Sequence, residues 1–206
     1  MAKERPEHPL LSPRNFWQAS LYLLLLGVLA SERIFELLLS RRNARRAFAH
    51  GGVEVGRKQY DFMVAFHTLF IASCAAESML RRATVPLFVF WGAIATALVA
   101  QALRFTAIWT LGDRWNTRVI IQRDADPVAN GIYRWIRHPN YLGVILEMAA
   151  IPLIGGAWIT AALFSVGNLP LLARRISIEE KALGNRYQET FSSRPRFIPF
   201  ARGHRD

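Results

Sequence analysis

The chain has 206 residues, enough for one domain, and 52% of them are hydrophobic. Its single cysteine, Cys74, excludes an internal disulfide framework and a cysteine-built zinc site. The net charge of +11 is typical of proteins that contact nucleic acid or an anionic membrane surface, and the long apolar blocks of the chain favour the membrane.

The first apolar block runs from Phe16 to Leu39 and predicts a membrane helix. Lys3, Arg5 and Arg14 precede it, and "VLAS" lies inside it, a pattern that is also typical of a cleavable signal peptide. Because the block continues beyond that cleavage point and later blocks are equally apolar, a retained helix is favoured.

Three further apolar blocks cover residues 62–80, 85–111 and 141–172. The last is 32 residues long, and one straight helix of that length would measure about 48 Å against a hydrocarbon core of about 30 Å. Pro152 and Gly155–Gly156 interrupt it, so two shorter helices in a hairpin are predicted. The sequence thus predicts an all-α integral membrane protein with about five membrane helices, the last two a short hairpin, plus a cytoplasmic C-terminal helix.

Loop charges predict the orientation of these helices. The connection between the first two blocks has two acidic residues, Glu54 and Asp61, against six basic ones, which places it in the cytoplasm: Arg41, Arg42, Arg45, Arg46, Arg57 and Lys58. With five spans the N-terminus is then outside, and segment 112–140 and the C-terminal tail are cytoplasmic. The C-terminal tail is also rich in basic residues, as expected of a cytoplasmic segment. Only Arg81–Arg82, which lie in an outer turn, do not fit this rule. The basic residues of the tail are Arg174, Arg175, Lys181, Arg186, Arg194, Arg196, Arg202 and Arg205.

Charged residues interrupt the first block at Glu32, Arg33 and Glu36, near its cytoplasmic end. Charges within a span are candidates for function, although near a helix end their side chains reach the interface at little cost. We expect Glu32 and Glu36 to pair with basic groups from neighbouring helices.

The second and third blocks also contain polar residues. His67 and Glu77 lie ten residues apart, about 15 Å along a helix, which is too far for one metal ion, and no metal site is predicted. Gln101 and Arg104 interrupt the third block, and Arg104 either contacts a substrate or a polar network of the site or forms a plain ion pair. Cys74 is expected to pack in the core.

The motif "RHPNYLG", Arg137 to Gly143, begins the hairpin. Pro139 suits the first position of a helix, where its missing N–H would be unpaired, and His138 would then cap that helix. The free N–H groups of a helix start attract an anion such as a carboxylate or phosphate. The alternative interpretation is a helix start with an interfacial tyrosine and histidine as anchors.

The segment "ARRISIEEKALGNRY" follows the hairpin. On a helix, Arg175 and Glu179 share a face, and so do Glu180 and Tyr187. This is either an amphipathic surface helix with an ordinary ion pair or half of a binding site. Because a hairpin returns the chain to the side it left, we expect Arg175 and Glu179 to lie near the "RHPNYLG" motif.

These elements together resemble the isoprenylcysteine carboxyl methyltransferase family. "GIYRWIRHPNYLG", then "RISIEEKAL", an aromatic pair in "RYQETF" and "RFIPF" follow in the expected order, roughly from Trp115 to Phe200. The first half, with "SERIFELLLSRRNARRAFAHGGVE" and "FHTLFIASCAAES", resembles bacterial members, some of which sit beside type III polyketide synthases and methylate lipid-like pyrones.

The resemblance implies a membrane methyltransferase that uses S-adenosyl-L-methionine, with three membrane helices over residues 1–111 and a catalytic half over 112–206 of one domain. Arg175 would hold the acceptor oxygen, with Arg174 as its one-residue rival. The residues implied to bind the cofactor are Gln122, Val128, Tyr133, His138, Pro139, Asn140, Tyr141 and Glu179.

The acceptor determines which catalytic groups are required. A carboxylate is already ionised at pH 7 and needs only alignment with the methyl group, whereas an enol or phenol requires a base or a lowered pKa. Glu180 is the nearest candidate base by sequence. Since no Gly-x-Gly-x-x-Gly motif is present, a dinucleotide-type Rossmann fold has no support.

The leading prediction is therefore oxygen methylation of a lipophilic acceptor, a small molecule or a prenylated group, in a bacterial plasma membrane. Phospholipid-type nitrogen methylation and a small membrane scaffold or transporter are the alternatives. Nucleic acid is not an expected partner, because the basic residues flank apolar blocks and lack a recognition motif. Oligomeric state is not predicted.

Topology reporters test the predicted orientation. A reporter active only in the cytoplasm should give a signal when fused within residues 112–130 or after Asp206, because both belong to the cytoplasmic side of the hairpin. The same reporter at the N-terminus should be silent. Opposite signals from the first two fusions would contradict the hairpin and separate the two halves of the predicted site.

Overall fold

The computed structural model describes residues 13–81, 83–122 and 125–198, with side chains described from residue 19 onward. It has five α-helices: α1 (Pro13–Ala49), α2 (Arg57–Arg81), α3 (Leu87–Leu111), α4 (Pro139–Ile154) and α5 (Trp158–Phe191). Short 3-10 helices cover Gly112–Arg114 and Gly131–Arg134. The sequence features at Lys3, Arg5, Arg82, Phe200, Arg202 and Arg205 lie outside the described residues, as does the side chain of Arg14.

The helices cover the predicted apolar blocks, and the "RHPNYLG" motif begins α4 as predicted. His138 occupies the N-cap position and Pro139 the first turn, where the missing N–H has no intrahelical partner to lose. The His138 ring makes no capping hydrogen bond, because it binds a side chain of α5 instead. Gly155 and Gly156 form the turn to α5, whereas Pro152 lies inside α4 without ending it.

The second helix of the hairpin is longer than predicted. The sequence analysis separated a short membrane helix from a C-terminal helix, but α5 passes continuously through Leu172 and into the segment that contains Arg175 and Glu180. The segment after Leu172 is rich in Arg, Ile, Glu, Lys and Ala and contains no helix breaker before Gly184. At Gly184 the backbone has φ of 69°, a conformation that glycine adopts without a steric penalty, and α5 bends there.

A two-stranded antiparallel sheet, absent from the all-α prediction, joins distant parts of the chain. Strand β1 (Val53–Val55) pairs with β2 (Val119–Ile121), with Val53 opposite Ile121 and Val55 opposite Val119. Strands of three residues have too short a pattern to be recognised in sequence. Their pairing places the α1–α2 connection and segment 112–138 at the same end of the helices, hereafter the site end.

At the opposite end Glu77 holds the start of α5. Its carboxylate accepts hydrogen bonds from the backbone N–H of Ile159 at 3.0 Å and from both the N–H and the hydroxyl of Thr160 at 2.7 Å. These N–H groups belong to the first turn of α5 and have no partner within the helix. Glu77 therefore acts as a helix cap supplied by α2, which gives it a structural role.

The tightest packing joins α3 to α4. Small residues of α3, among them Ala93, Ala97 and Ala100, are buried and let the two backbones approach. At Gly143 of α4 a Cβ atom would lie 2.9 Å from the carbonyl oxygen of Ala100 and 2.7 Å from Cγ of Arg104. Both distances are too short, so glycine is required here. Cys74 is fully buried in the adjoining apolar core, as expected.

The outer surface of the helices is strongly apolar. Leu80, Phe88 and Trp109 are among many large exposed hydrophobic side chains, and Trp109 is 89% exposed. Within the described residues two helices are long and apolar enough to cross a membrane, Arg57–Arg81 and Leu87–Arg114, and α4 is a shorter apolar helix. The molecule is thus mostly helical, with at least two candidate spans. The count of five spans and their orientation remain predictions.

Replacement of Gly143 tests the α3–α4 contact. Gly143→Ala should destabilise the protein by about 1–3 kcal/mol, because the new methyl group meets a backbone carbonyl that cannot move aside. Thermal unfolding in detergent measures the change. Gly92→Ala on α3 is the matched control, since nothing lies within 4 Å of that Cβ position, and its melting temperature should be unchanged or raised. A Gly143→Ala protein that melts like the wild type would refute the close contact.

Candidate functional site

The chain that follows α5 returns to the start of α4. The backbone N–H of Arg137 donates to the carbonyl of Pro195 at 3.0 Å, and that of His138 donates to the carbonyl of Arg196 at 3.1 Å. The Arg137 side chain adds a bond from Nε to the carbonyl of Arg194 at 2.6 Å. The residues of "RHPNYLG" are therefore held by the tail from one side and by α5 from the other.

Glu180 is the common partner of three cationic or ionisable side chains. Its carboxylate accepts from His138 Nε2 at 3.0 Å and from Arg196 Nη2 at 2.6 Å, and Arg137 Nη1 lies 3.8 Å away. Burial by itself raises the pKa of the Glu180 carboxyl. The hydrogen bonds from His138 and Arg196 and the charge of Arg196 outweigh burial and lower that pKa from 4.5 to about 2. Glu180 is thus firmly ionised, and its oxygens are engaged.

The bond to Glu180 also fixes the His138 ring. With Nε2 donating, the neutral imidazole keeps an unprotonated Nδ1 as acceptor. The ring stacks on Tyr141 with centroids 5.3 Å apart and lies near Tyr187, whose hydroxyl is 3.5 Å from Nε2. His138 is buried, so its orientation is determined by protein contacts.

A second chain of polar contacts runs through Tyr141. Its hydroxyl donates to the carboxylate of Glu179 and accepts from Arg175 Nε at 3.0 Å. Arg175 Nη2 donates to the carbonyl of Thr117 next to β2, and Nη1 faces the thioether of Met63 at 4.0 Å. Since a thioether is a weak acceptor, Nη1 is the part of the guanidinium that remains available for another oxygen.

The bend at Gly184 brings the end of α5 against the 3-10 helix that contains Tyr133. Tyr133, Tyr187 and Phe191 form a small buried cluster with Ala107 of α3. Burial raises the pKa of both tyrosine hydroxyls, so they stay protonated at neutral pH. This cluster forms an aromatic wall beside His138.

These groups surround a cavity of about 450 Å³. The cavity begins at the site end and continues between the helices toward the middle of the molecule. The predicted site residues that line it are Gln122, Val128, Tyr133, His138, Asn140, Tyr141, Glu179, Arg175 and Arg104. Pro139 and Glu180 lie outside the lining, where Pro139 shapes the helix start and Glu180 holds His138. Arg175 is buried against the cavity, whereas its rival Arg174 is exposed on the outer face of α5.

A cluster of buried charges lies at the inner part of the cavity. Arg104 of α3 binds Glu36 of α1 at 2.7 Å and lies 3.6 Å from Glu147 of α4. Arg33 of α1 completes the group, 2.9 Å from Glu36 and 3.5 Å from Glu147. The expected pairing of Glu36 with a neighbouring helix is confirmed. Arg104 is ion-paired and also lines the cavity, and its contact with a substrate stays a prediction.

Glu32 departs from the prediction. Its ion pair is with Arg33 on its own helix, and its partner across the helices is the amide of Gln101, which is not a basic group. The sequence analysis missed Glu147, although it is the one acidic residue of the fourth apolar block and this exception was visible in the sequence. It also missed the contacts of Arg137 and Arg196 with Glu180, for which the sequence gives no separate signal.

The part of the chain that forms the site also matches a known protein family. Residues 93–185, which contain most of α3, all of α4 and most of α5, match the isoprenylcysteine carboxyl methyltransferase (ICMT) family. The chain is also 36% identical over 163 residues to the uncharacterized protein YpbQ of Bacillus subtilis, a match that covers 79% of this chain and 96% of that protein. The chain belongs to the isoprenylcysteine carboxyl methyltransferase family.

Relatives named as methyltransferases match about half of the chain. The protein-S-isoprenylcysteine O-methyltransferase of Schizosaccharomyces pombe is 29% identical over 107 residues, and form B of the Arabidopsis thaliana enzyme is 30% identical over 109 residues. These matches cover 49% and 50% of this chain, and the chain spans about half the length of these enzymes, 45% and 55%. The resemblance seen in the sequence is confirmed at the level of the family, and the matched region contains Arg104, His138, Arg175 and Glu180.

The lowered pKa of Glu180 predicts an acid-sensitive contact. Its ionised form stabilises the folded state above pH 4.5, and this contribution is lost as the pH falls from 4.5 toward 2. Melting temperatures measured across this range should therefore fall for the wild type and depend less on pH for Glu180→Gln. Glu189→Gln, which removes an exposed carboxylate of the same helix, should keep the wild-type dependence. Identical profiles for Glu180→Gln and the wild type would contradict the role of this carboxylate.

Proposed function

We propose that this protein transfers a methyl group from S-adenosyl-L-methionine to an oxygen atom of a lipophilic acceptor that resides in the membrane. The observation that carries the proposal is a cavity that has a polar end and continues between apolar helices. Its site end collects His138, Tyr141, Glu179 and the end of α5, and its other end continues between apolar helices to Arg104. Membership of a family whose characterised relatives are named as O-methyltransferases supports the same conclusion.

The site end has groups that match the parts of S-adenosyl-L-methionine. Asn140 Oδ1 is buried beside the cavity without a hydrogen-bond partner in the described structure, and it would accept from an amino group. The first N–H groups of α4 are unpaired within the helix and would bind the carboxylate. Glu179 would accept from ribose hydroxyls or the ammonium group, and the rings of Tyr133 and Tyr187 would pack on the base. Gln122 and Val128 would complete this end.

S-adenosyl-L-methionine supplies a methyl group that is already activated by a positively charged sulfur. The protein therefore has to bind, align and desolvate the reactants more than it has to activate them. Arg175 is the residue suited to the acceptor, because its Nε and Nη2 atoms are fixed by Tyr141 and Thr117 while Nη1 remains available. A fixed guanidinium would orient the acceptor oxygen and favour its ionised form.

Glu180 contributes to this alignment through His138. It lies outside the cavity lining and binds three cationic or ionisable groups, so we assign it the positioning of His138 and the tail. Arg104 lines the cavity at the acceptor end and would meet a polar group of the acceptor there. The basic connection after α1 and the basic tail favour a cytoplasmic site end, so the donor would enter from the cytoplasm and the acceptor from the bilayer of a bacterial plasma membrane.

Binding of S-adenosylhomocysteine to the purified protein tests the donor site. The wild type should bind it, and His138→Ala and Glu179→Gln should each weaken binding about tenfold or more, because they remove polar groups from the site end. Calorimetry measures the affinity.

Methyl transfer separates the acceptor side from the donor side. With N-acetyl-S-farnesylcysteine or host lipid extract as acceptor, Arg175→Ala should keep S-adenosylhomocysteine binding but lose about 100-fold or more in labelled methyl transfer. Arg174→Ala is the matched control and should keep both, because Arg174 is exposed outside the cavity. A wild-type protein that fails to bind S-adenosylhomocysteine would overturn the proposed function, and a labelled product methylated on nitrogen would replace oxygen as the acceptor atom.

A further inference from the structure

His67 of α2 has an environment that none of the roles above explains. It is half-buried and lines the same cavity as Arg175 and Arg104. Its Nδ1 atom lies 2.8 Å from the carbonyl oxygen of Met63, and since a carbonyl only accepts, Nδ1 carries the proton of this bond. In the neutral ring Nε2 is then an unprotonated acceptor. Among residues 13–81, 83–122 and 125–198 nothing is hydrogen-bonded to it.

His67 lies one helical turn from a residue that faces the arginine assigned to the acceptor. Met63, whose carbonyl fixes the ring, has its sulfur 4.0 Å from Arg175 Nη1. His67 follows one helical turn later, about 6 Å further along the helix axis. An acceptor oxygen bound by Nη1 would thus lie in the part of the cavity that the imidazole also borders.

Charged side chains of three other helices act on His67. The groups that act on it electrostatically are Glu147 of α4, Arg33 of α1 and Arg175 of α5. The negative charge of Glu147 favours a proton on the ring, whereas the positive charges of Arg33 and Arg175 oppose it.

The two glutamates of the site already have hydrogen-bond partners. Glu180, the candidate from sequence, lies outside the cavity lining, and its carboxylate binds His138 and Arg196. The Glu179 carboxylate accepts from the hydroxyl of Tyr141. We therefore assign the role of proton acceptor beside the reacting oxygen to His67 Nε2, which has no hydrogen bond within the described residues.

We propose that His67 is the general base for an acceptor with an acidic hydroxyl group, such as a phenol or an enol, an inference that rests on the proposed function. The acceptor's O–H proton passes to Nε2 while the oxygen forms a bond to the methyl carbon and the carbon–sulfur bond breaks with its electrons staying on sulfur. The products are a methyl ether, S-adenosylhomocysteine and an imidazolium that later releases its proton to water. A carboxylate acceptor is already ionised and would not require His67 as a base.

Two probes distinguish these acceptor classes. 4-Dodecylphenol has a hydroxyl proton to remove, and N-acetyl-S-farnesylcysteine presents an ionised carboxylate. In His67→Gln, methylation of the phenol should fall about 100-fold or more, the usual effect of losing a general base, with less than about a threefold change for the carboxylate. S-adenosylhomocysteine binding should be unchanged, which also shows that the variant is folded.

A binding measurement adds a readout that is independent of turnover. A nitrophenol with a long alkyl chain absorbs visible light as its phenolate, and binding to the wild type should raise the phenolate fraction through proton transfer to His67. The increase should be lost in His67→Gln and His67→Ala. His50→Gln is the matched control, because His50 makes the same Nδ1 contact with a carbonyl four residues earlier but is exposed and does not line the cavity.

The results that test the role of His67 differ from those that test the proposed methyltransferase function. Loss of phenol methylation and of the phenolate signal in both His67 variants, with His50→Gln unaffected, supports the base. The inference is overturned if His67→Gln methylates the phenol at the wild-type rate, or if the wild type binds S-adenosylhomocysteine but does not methylate the phenol. Failure of the wild type to bind S-adenosylhomocysteine at all would instead contradict the proposed methyltransferase function.

Discussion

The ionised Glu180 carboxylate holds together the parts of the chain that form the site. It connects α5 to His138 at the start of α4 and to Arg196 of the returning tail, with Arg137 also nearby. A buried carboxylate is costly unless charged partners surround it, and here the partners come from two segments other than α5 itself, the start of α4 and the tail. Each segment alone would leave the charge unpaired, so the contact is made only when all three are in place.

A second constraint operates between the helices. Charged residues of α1, α3 and α4 meet in a buried cluster, while the rest of the helix surfaces is apolar. In hydrocarbon such groups must find one another, because no water is present to solvate them. The cluster fixes how α1 approaches α3 and α4, and it also makes the inner end of the cavity polar. A cavity with two polar ends and apolar surroundings suits an amphiphilic acceptor better than a purely apolar one.

The site therefore joins a polar region, open to a water-soluble ligand, to a region between apolar helices. The helix start, the aromatic wall and Glu179 are at the site end, where a water-soluble donor would bind. Arg175 lies between that end and the helices, because α5 continues without a break from the apolar hairpin into the polar tail. This continuity explains why an arginine three residues after Leu172 is buried at the boundary, with its rival at the preceding position turned outward.

Sequence reasoning was most reliable where a local pattern had one physical solution. The long apolar blocks had to become helices, Pro139 had to stand in a first helical turn, and the glycine pair had to form the turn of the hairpin. It failed where the signal was too short or depended on partners distant in sequence. The three-residue strands are the first case, and the contacts of Arg196 and Glu147 are the second.

The sequence by itself determined the helical, apolar character of this protein, the family and the set of residues around "RHPNYLG" and Arg175. Only the tertiary structure decided that Arg175 rather than Arg174 faces the cavity, that Glu180 supports His138 from outside it, and that His67 has an open nitrogen inside it. The physical reason is that composition and periodicity follow from neighbours along the chain. The direction and the charge partners of a side chain depend instead on how helices pack and where a bend such as Gly184 redirects them.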